Sequence, residues 1–156
     1  MSDHGTGDAL PTVLTLTLAE AIGVAVLNEA HGRGLQPLSV VVLDAGGHPI
    51  VLKRQDGAST GRSQIATAKA SGCLAMGSGG RTLAQRAQVS PAFVAALNGI
   101  IPNGVLPVPG GVLVRDHHGR LLGAVGVSGD TADNDEVCAI AGIQAAGQVA
   151  DAGALV

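Results

Sequence analysis

Lys69 and Arg62 are the residues best placed to do chemistry in this chain. At about 100° per residue, Arg62, Ile65, Lys69, Cys73 and Met76 fall on one stripe of a helix, so two cations share a face with apolar neighbours. An ammonium or guanidinium withdrawn from water demands a carboxylate, a carbonyl or an anionic ligand. One reading is a pocket in which both grip the carboxylate of a small acid. The plainer reading pairs them with the chain's own acids, or lets Arg62 reach solvent from the helix start. Buried lysines titrate low enough for proton transfer. Lys69 with Asp56, Asp135 or His48 would then supply acid and base to an isomerase, tautomerase or lyase.

The remaining polar residues each have an ordinary structural role beside a chemical one. Asp56 follows a strand and is more simply a helix-capping acid, favoured by the positive end of the dipole. Ser128 and Gly129 lie where a strand ends and a helix opens, so their backbone donors could hold an anion. Asp130, Asp133, Asp135 and Glu136 crowd that spot and would repel one, which favours plain capping; they show no calcium-loop spacing. His48, His117 and His118 read as turn residues, and neighbouring histidines on extended chain point to opposite sides. No metal site is expected. Gly77-Ser78-Gly79-Gly80 lacks the spacing of a phosphate-binding loop.

These residues must be positioned by a small set of elements. Val40 to Leu43 is an uncharged β-branched run, and Ala45-Gly46-Gly47-His48 supplies the conformational freedom for a tight reversal into a strand that starts at Pro49. A helix capped by Thr17 and Glu20 precedes this hairpin and ends near Gly32-Arg33-Gly34. A second helix spans about Ser59 to Met76, a third starts at Thr82, and Ser90-Pro91 opens a fourth. Three prolines make Gly99 to Gly111 irregular, with an edge strand expected around Val105. A second hairpin turns at His117-His118-Gly119. Gly123 and Gly126 in its returning strand mark the close approach of a helix, a subunit or a ligand. A last helix, with Asp133 and Glu136 at capping-box spacing, carries the small residues Ala139, Gly142, Ala146 and Ala150. The order predicts an α+β fold, an antiparallel sheet of about five strands flanked by helices.

Composition narrows the function classes. The chain has 156 residues, a net charge of −3 and no basic cluster, which argues against nucleic acid. No run of about 18 apolar residues suggests a membrane span. Charged residues make up only 13 %, so part of the surface should be buried in a homo-oligomer. Cys73 and Cys138, distant from each other, read as reduced thiols of a cytoplasmic protein. Residues 1–14 are expected to form a flexible tail before a single domain over 15–156.

Asp44-Ala45-Gly46-Gly47, Arg54-Gln55-Asp56-Gly57-Ala58, Ala66-Thr67-Ala68-Lys69-Ala70, Gly110-Gly111 and Gly123-Ala124-Val125-Gly126-Val127-Ser128-Gly129, with Asp135 and Ala141-Gly142, resemble the motifs of the GlcG/HbpS family. That family also supplies the C-terminal part of PduO-type proteins. The resemblance implies a profilin-like fold, assembly into oligomers and, in some members, haem binding. This chain departs in having Phe93 as its one aromatic residue and Val112, rather than a hydroxyl, after the glycine pair. The leading expectation is a cytoplasmic, oligomeric protein binding a small anionic, largely apolar ligand, with haem as the cofactor the resemblance brings in. Its ligand contacts would be Arg62, Lys69, Gly46, Gly47, Gly110, Gly111, Ser128 and Gly129. The alternatives are the acid–base enzyme built on Lys69, and a scaffold subunit with no pocket chemistry.

Overall fold

The computed structural model describes residues 13–154 of the chain. It contains α1 (Leu16–Gly32), β1 (Ser39–Asp44), β2 (Pro49–Arg54), α2 (Arg62–Met76), α3 (Gly80–Val89), α4 (Pro91–Ala96), β3 (Gly111–Arg115), β4 (Leu121–Ser128), α5 (Ala132–Ala145) and β5 (Val149–Asp151), with a short 3-10 turn at Leu97–Gly99. The strands form one antiparallel sheet in the order β2-β1-β4-β3-β5. This is the α+β architecture the element order predicts.

Alternation along the strands divides the core into two layers. Val40, Val42, Val112, Val114, Val125 and Val127 pack with Ile22 and Val26 of α1 and Cys138, Ala139 and Ile143 of α5. Val41, Leu43, Leu113 and Ala124 face the other way, onto Ala66, Ala70 and Cys73 of α2, with Leu83, Val94, Leu97 and Val105 beyond. With one aromatic residue in the chain, density comes from close backbone approach. A Cβ added to Gly126 would overlap the carbonyl of Ala66 in α2, and one on Gly142 would overlap Val26 of α1. The sequence signal at Gly126 was therefore a helix, whereas Gly123 closely approaches the carbonyl of Leu43 in the adjoining strand.

The two hairpins turn in the same way. In the first, Asp44 accepts from Gly46 N and His48 N through Oδ1, at 2.9 and 3.0 Å, and Gly47 sits at φ 85°. In the second, Asp116 accepts from His118 N and Arg120 N through Oδ1, both at 2.9 Å, and Gly119 sits at φ 80°. The left-handed position needs glycine, and the aspartate satisfies donors that the tight turn leaves unpaired. Both tips lie at the same end of the sheet, because Asp44 pairs across to Gly123 near the start of β4.

Several local expectations are corrected. Thr15, not Thr17, caps α1, accepting from Leu18 N, and Glu20 instead forms an ion pair with Lys53. Thr131 caps α5, so Asp133 and Glu136 are free to bind Arg81. Thr82 lies inside α3, whose cap is Gly79. No strand forms at Val105: the Asn98 side chain accepts from its N–H at 2.8 Å and donates to its carbonyl at 3.2 Å, serving as a one-residue strand partner. The fifth strand is β5, three residues after the last helix. Of the tail expected over residues 1–14, the first twelve lie outside the described residues, while Leu14 is buried in the core.

Candidate functional site

Lys69 does face the interior, as its helical stripe requires, but it is already partnered. Its ammonium donates to Asp135 Oδ2 at 3.0 Å and to the Val127 carbonyl at 2.9 Å, and both side chains of the pair are almost wholly buried. Asp135 also accepts from Asp130 N through Oδ1 at 3.0 Å. Burial pushes the Asp135 carboxyl above its ordinary range, against the pull of the Lys69 ammonium. The pair joins α2 of one helical layer to α5 of the other, past the end of β4. This is the plainer of the two sequence readings.

The glycines beside it leave no room for a ligand. A Cβ on Gly110 would stand 2.7 Å from Lys69 Nζ, and one on Gly111 would stand 2.5 Å from the Lys69 carbonyl and 2.7 Å from Cys73 Sγ. Gly129 is pressed against Pro37 and Leu38. Gly110, Gly111 and Gly129 thus admit protein backbone and the lysine itself, and Val112 is buried between sheet and helices. Ser128 is buried, and its hydroxyl accepts a long 3.4 Å bond from half-buried Arg62. Among the described residues, Arg62 has no carboxylate at ion-pair distance.

The acids at the start of α5 separate onto different partners. Asp130 accepts from Asn134 Nδ2, Gln36 N and Thr131 N, and these hydrogen bonds hold its carboxyl below the ordinary range. Asp133 and Glu136 share the Arg81 guanidinium, which they hold more firmly protonated. No group of three metal-ligating side chains occurs among the described residues. Asp56 neither caps α2, which starts at Arg62 behind Gly61, nor approaches Lys69. It lines an open cleft of about 640 Å³ with His31, Arg54 and Gln55. Burial raises the Cys73 thiol to about 12 and the Cys138 thiol to about 11, so neither is a ready nucleophile.

The structure does gather one set of expected residues around space. Gly46, Gly47 and His48, at the tip of the first hairpin, line a cleft of about 430 Å³ with Pro49. Ser71, Leu74 and Ala75 of α2 form its floor, and Ile101, Pro102 and Asn103 form the far lip. Pro102 and Asn103 also border a hollow of about 290 Å³ over Ser63, Gln64, Thr67 and Leu52. The lining is mostly apolar, contains one imidazole and has no Lys or Arg. The tip's backbone donors are spent on Asp44. What remains for an incoming group is a largely apolar wall, the polar side chains of Ser71 and Asn103, and one imidazole. The floor and lip were missed at the level of sequence; Ser63, Thr67 and Ser71, a polar row at four-residue spacing on a helix otherwise rich in alanine, was the available signal.

The fold is shared with known proteins. A family model described as haem degrading protein HbpS-like matches residues 14–144. A doubly substituted form of HbpS from Streptomyces reticuli is 30 % identical, with a TM-score of 0.74, over 92 % of this chain and 94 % of that one. PduOC, crystallised as a haem complex, is 25 % identical, with a TM-score of 0.76, over 86 % of this chain and 95 % of that one. The Klebsiella pneumoniae protein ORFY, at 23 % identity and a TM-score of 0.77, shares the fold over 90 % of this chain and 95 % of its own. No curated protein matches the chain.

Proposed function

Because this chain belongs to the HbpS-like family of haem degrading proteins, we propose that it binds a largely apolar small ligand, haem foremost, in the cleft under the first hairpin tip. The observation that carries this reading is the cleft itself: an open, mostly apolar hollow of about 430 Å³ with His48 on its rim. Haem fits the donor set, since imidazole is a common axial ligand of haem iron and the walls from Leu74, Ala75, Ile101 and Pro102 suit a macrocycle. His48 would hold the iron and the walls would take the apolar surface of the ligand, with its carboxylate groups left in solvent. Bound haem supplies redox and oxygen chemistry that no side chain here provides.

The acid–base alternative has lost its support. Lys69 and Asp135 neutralise each other inside the protein, and neither lines any of the clefts described above. Self-association and a cytoplasmic location also belong to the proposal. The first is supported by the charge-poor composition and by exposed apolar residues such as Val89 and Ile100. The second is supported by two unpaired thiols; among the described residues no helix is long and apolar enough to cross a membrane.

Titration of micromolar protein with hemin tests the ligand. A saturable shift of the Soret band is expected, and His48→Ala should change its position and weaken binding while leaving the fold intact. No shift with the wild-type protein would remove haem from the proposal.

A further inference from the structure

Nearly every buried polar side chain among the described residues has a hydrogen-bond partner. Lys69 and Asp135 hold each other, Glu136 and Asp116 hold arginines, and Ser39 and Ser128 accept from Ser63 and Arg62. Ser71 of α2 is the exception. It is 7 % exposed, and its hydroxyl meets no donor or acceptor among the described residues. The other hydroxyls along this side of α2 show how a helix ordinarily settles such a group. Thr67 donates to the Ser63 carbonyl at 2.8 Å, and Ser63 donates to Ser39 Oγ at 3.3 Å. Ser71 makes no matching bond one turn further on.

What the Ser71 hydroxyl does face is the cleft of about 430 Å³ under the first hairpin tip, where its oxygen is not sealed off by protein atoms. A hydroxyl largely withdrawn from water and left without a partner costs stability unless a bound group completes it. Asn103 lines the same cleft but is exposed, so water satisfies its amide. With no Lys or Arg in the lining, a free carboxylate carried to the floor would lose its hydration for a single hydroxyl. The floor therefore suits a small acceptor whose charge is met elsewhere in the ligand, as by a metal ion.

We propose that Ser71 is the hydrogen-bond donor of this cleft. With haem held by His48 from the hairpin rim, the Ser71 hydroxyl donates from the helix floor to the small ligand on the other face of the iron. The proposal rests on the haem reading above and adds the residue that selects what the iron takes up. Rim and floor are separate walls of one cleft, and a single imidazole leaves the iron one axial position free. A donor beside that position is one of the features by which a haem pocket discriminates among small ligands.

The test is a fluoride titration of the hemin-loaded full chain, followed in its absorption spectrum, for the wild type, Ser71→Ala and Thr67→Ala. Fluoride on ferric iron is a compact acceptor and reports a neighbouring donor. Ser71→Ala should bind it about three- to tenfold more weakly, the loss of one hydrogen bond. Thr67→Ala removes a hydroxyl already bonded within α2 and should leave the affinity unaltered. The urea midpoint of hemin-free Ser71→Ala should equal or exceed that of the wild type, because alanine is the better helix former and no protein hydrogen bond is lost. A wild type that takes up no hemin would overturn the haem reading and this role together. Hemin bound by both proteins with equal fluoride affinities would overturn the role of Ser71 alone. A lowered urea midpoint for Ser71→Ala, or an equal loss of fluoride affinity in Thr67→Ala, would also overturn it.

Discussion

Lys69 and Asp135 form an isolated pair of opposite charges inside the protein, so each is costly without the other. Lys69→Met should destabilise the fold by about 3–5 kcal/mol, read as a lower urea midpoint, because it leaves a buried carboxylate unpaired. Adding Asp135→Leu should recover part of that loss. Carboxylates elsewhere set the acid limit. Burial raises the Asp116 carboxyl, but the Arg120 N–H, the Arg120 guanidinium and the His118 N–H outweigh it and leave the group below its ordinary range. Such a group stabilises the fold above the ordinary carboxylate pKa of about 4 and loses that contribution as pH falls through the lower, folded-state value. Asp130 behaves likewise. Asp135 has the opposite sign: its contribution is full at acid pH and lost as pH rises through its raised value. Melting temperatures measured from pH 2 to 5 should therefore fall less steeply for Asp116→Asn than for the wild type. The need of a buried cation for a partner was legible from spacing alone; which acid would meet it was not, because Asp135 lies in another layer.

At the scale of elements, close backbone contact replaces bulky side chains. Gly126→Ala should cost about 1–3 kcal/mol or more in a urea titration, since the carbonyl of Ala66 cannot rotate away as a side chain would. Gly99→Ala, with nothing within 4 Å of the added atom, should stay within about 0.5 kcal/mol. Both hairpins, the α4 start at Pro91 and the end of α2 before Gly77 were readable, because glycine and proline punctuate the chain for local steric reasons. Helix starts were less so. Thr17 and Thr82 had the capping spacing, yet Thr15 and Gly79 hold the caps, since spacing cannot say which of several polar residues the chain turns on. The fifth strand was counted correctly and placed wrongly: Asn98 pairs with Val105 from its side chain, and Val149–Asp151 is too short to show a period.

For the whole molecule, charge poverty proved the most informative number. It argues for a surface that needs covering, and the exposed large apolar side chains are spread over the molecule, from Leu16 and Val24 on α1 and Leu52 on β2 to Val89, Phe93 and Ile100. The cleft was legible only at its hairpin tip, where Gly46, Gly47 and His48 stand together in sequence. Its floor and lip come from residues some 25 to 55 positions further on, and no local pattern brings them together. The resemblance carried the fold further than the site, since most of its glycines turn out to admit neighbouring backbone.

The paired hairpin tips have a consequence for how such a protein diversifies. Each bend depends on one aspartate and one glycine, which hold its backbone whatever side chain follows them. His48 follows the glycine of its bend, on the rim of the cleft, and Arg120 holds the matching place on the neighbouring tip, where His117 and His118 stand in the places of Ala45 and Gly46. The rim can therefore change at residue 48 while the bend is kept, whereas on the second tip the matching Arg120 is tied back to Asp116.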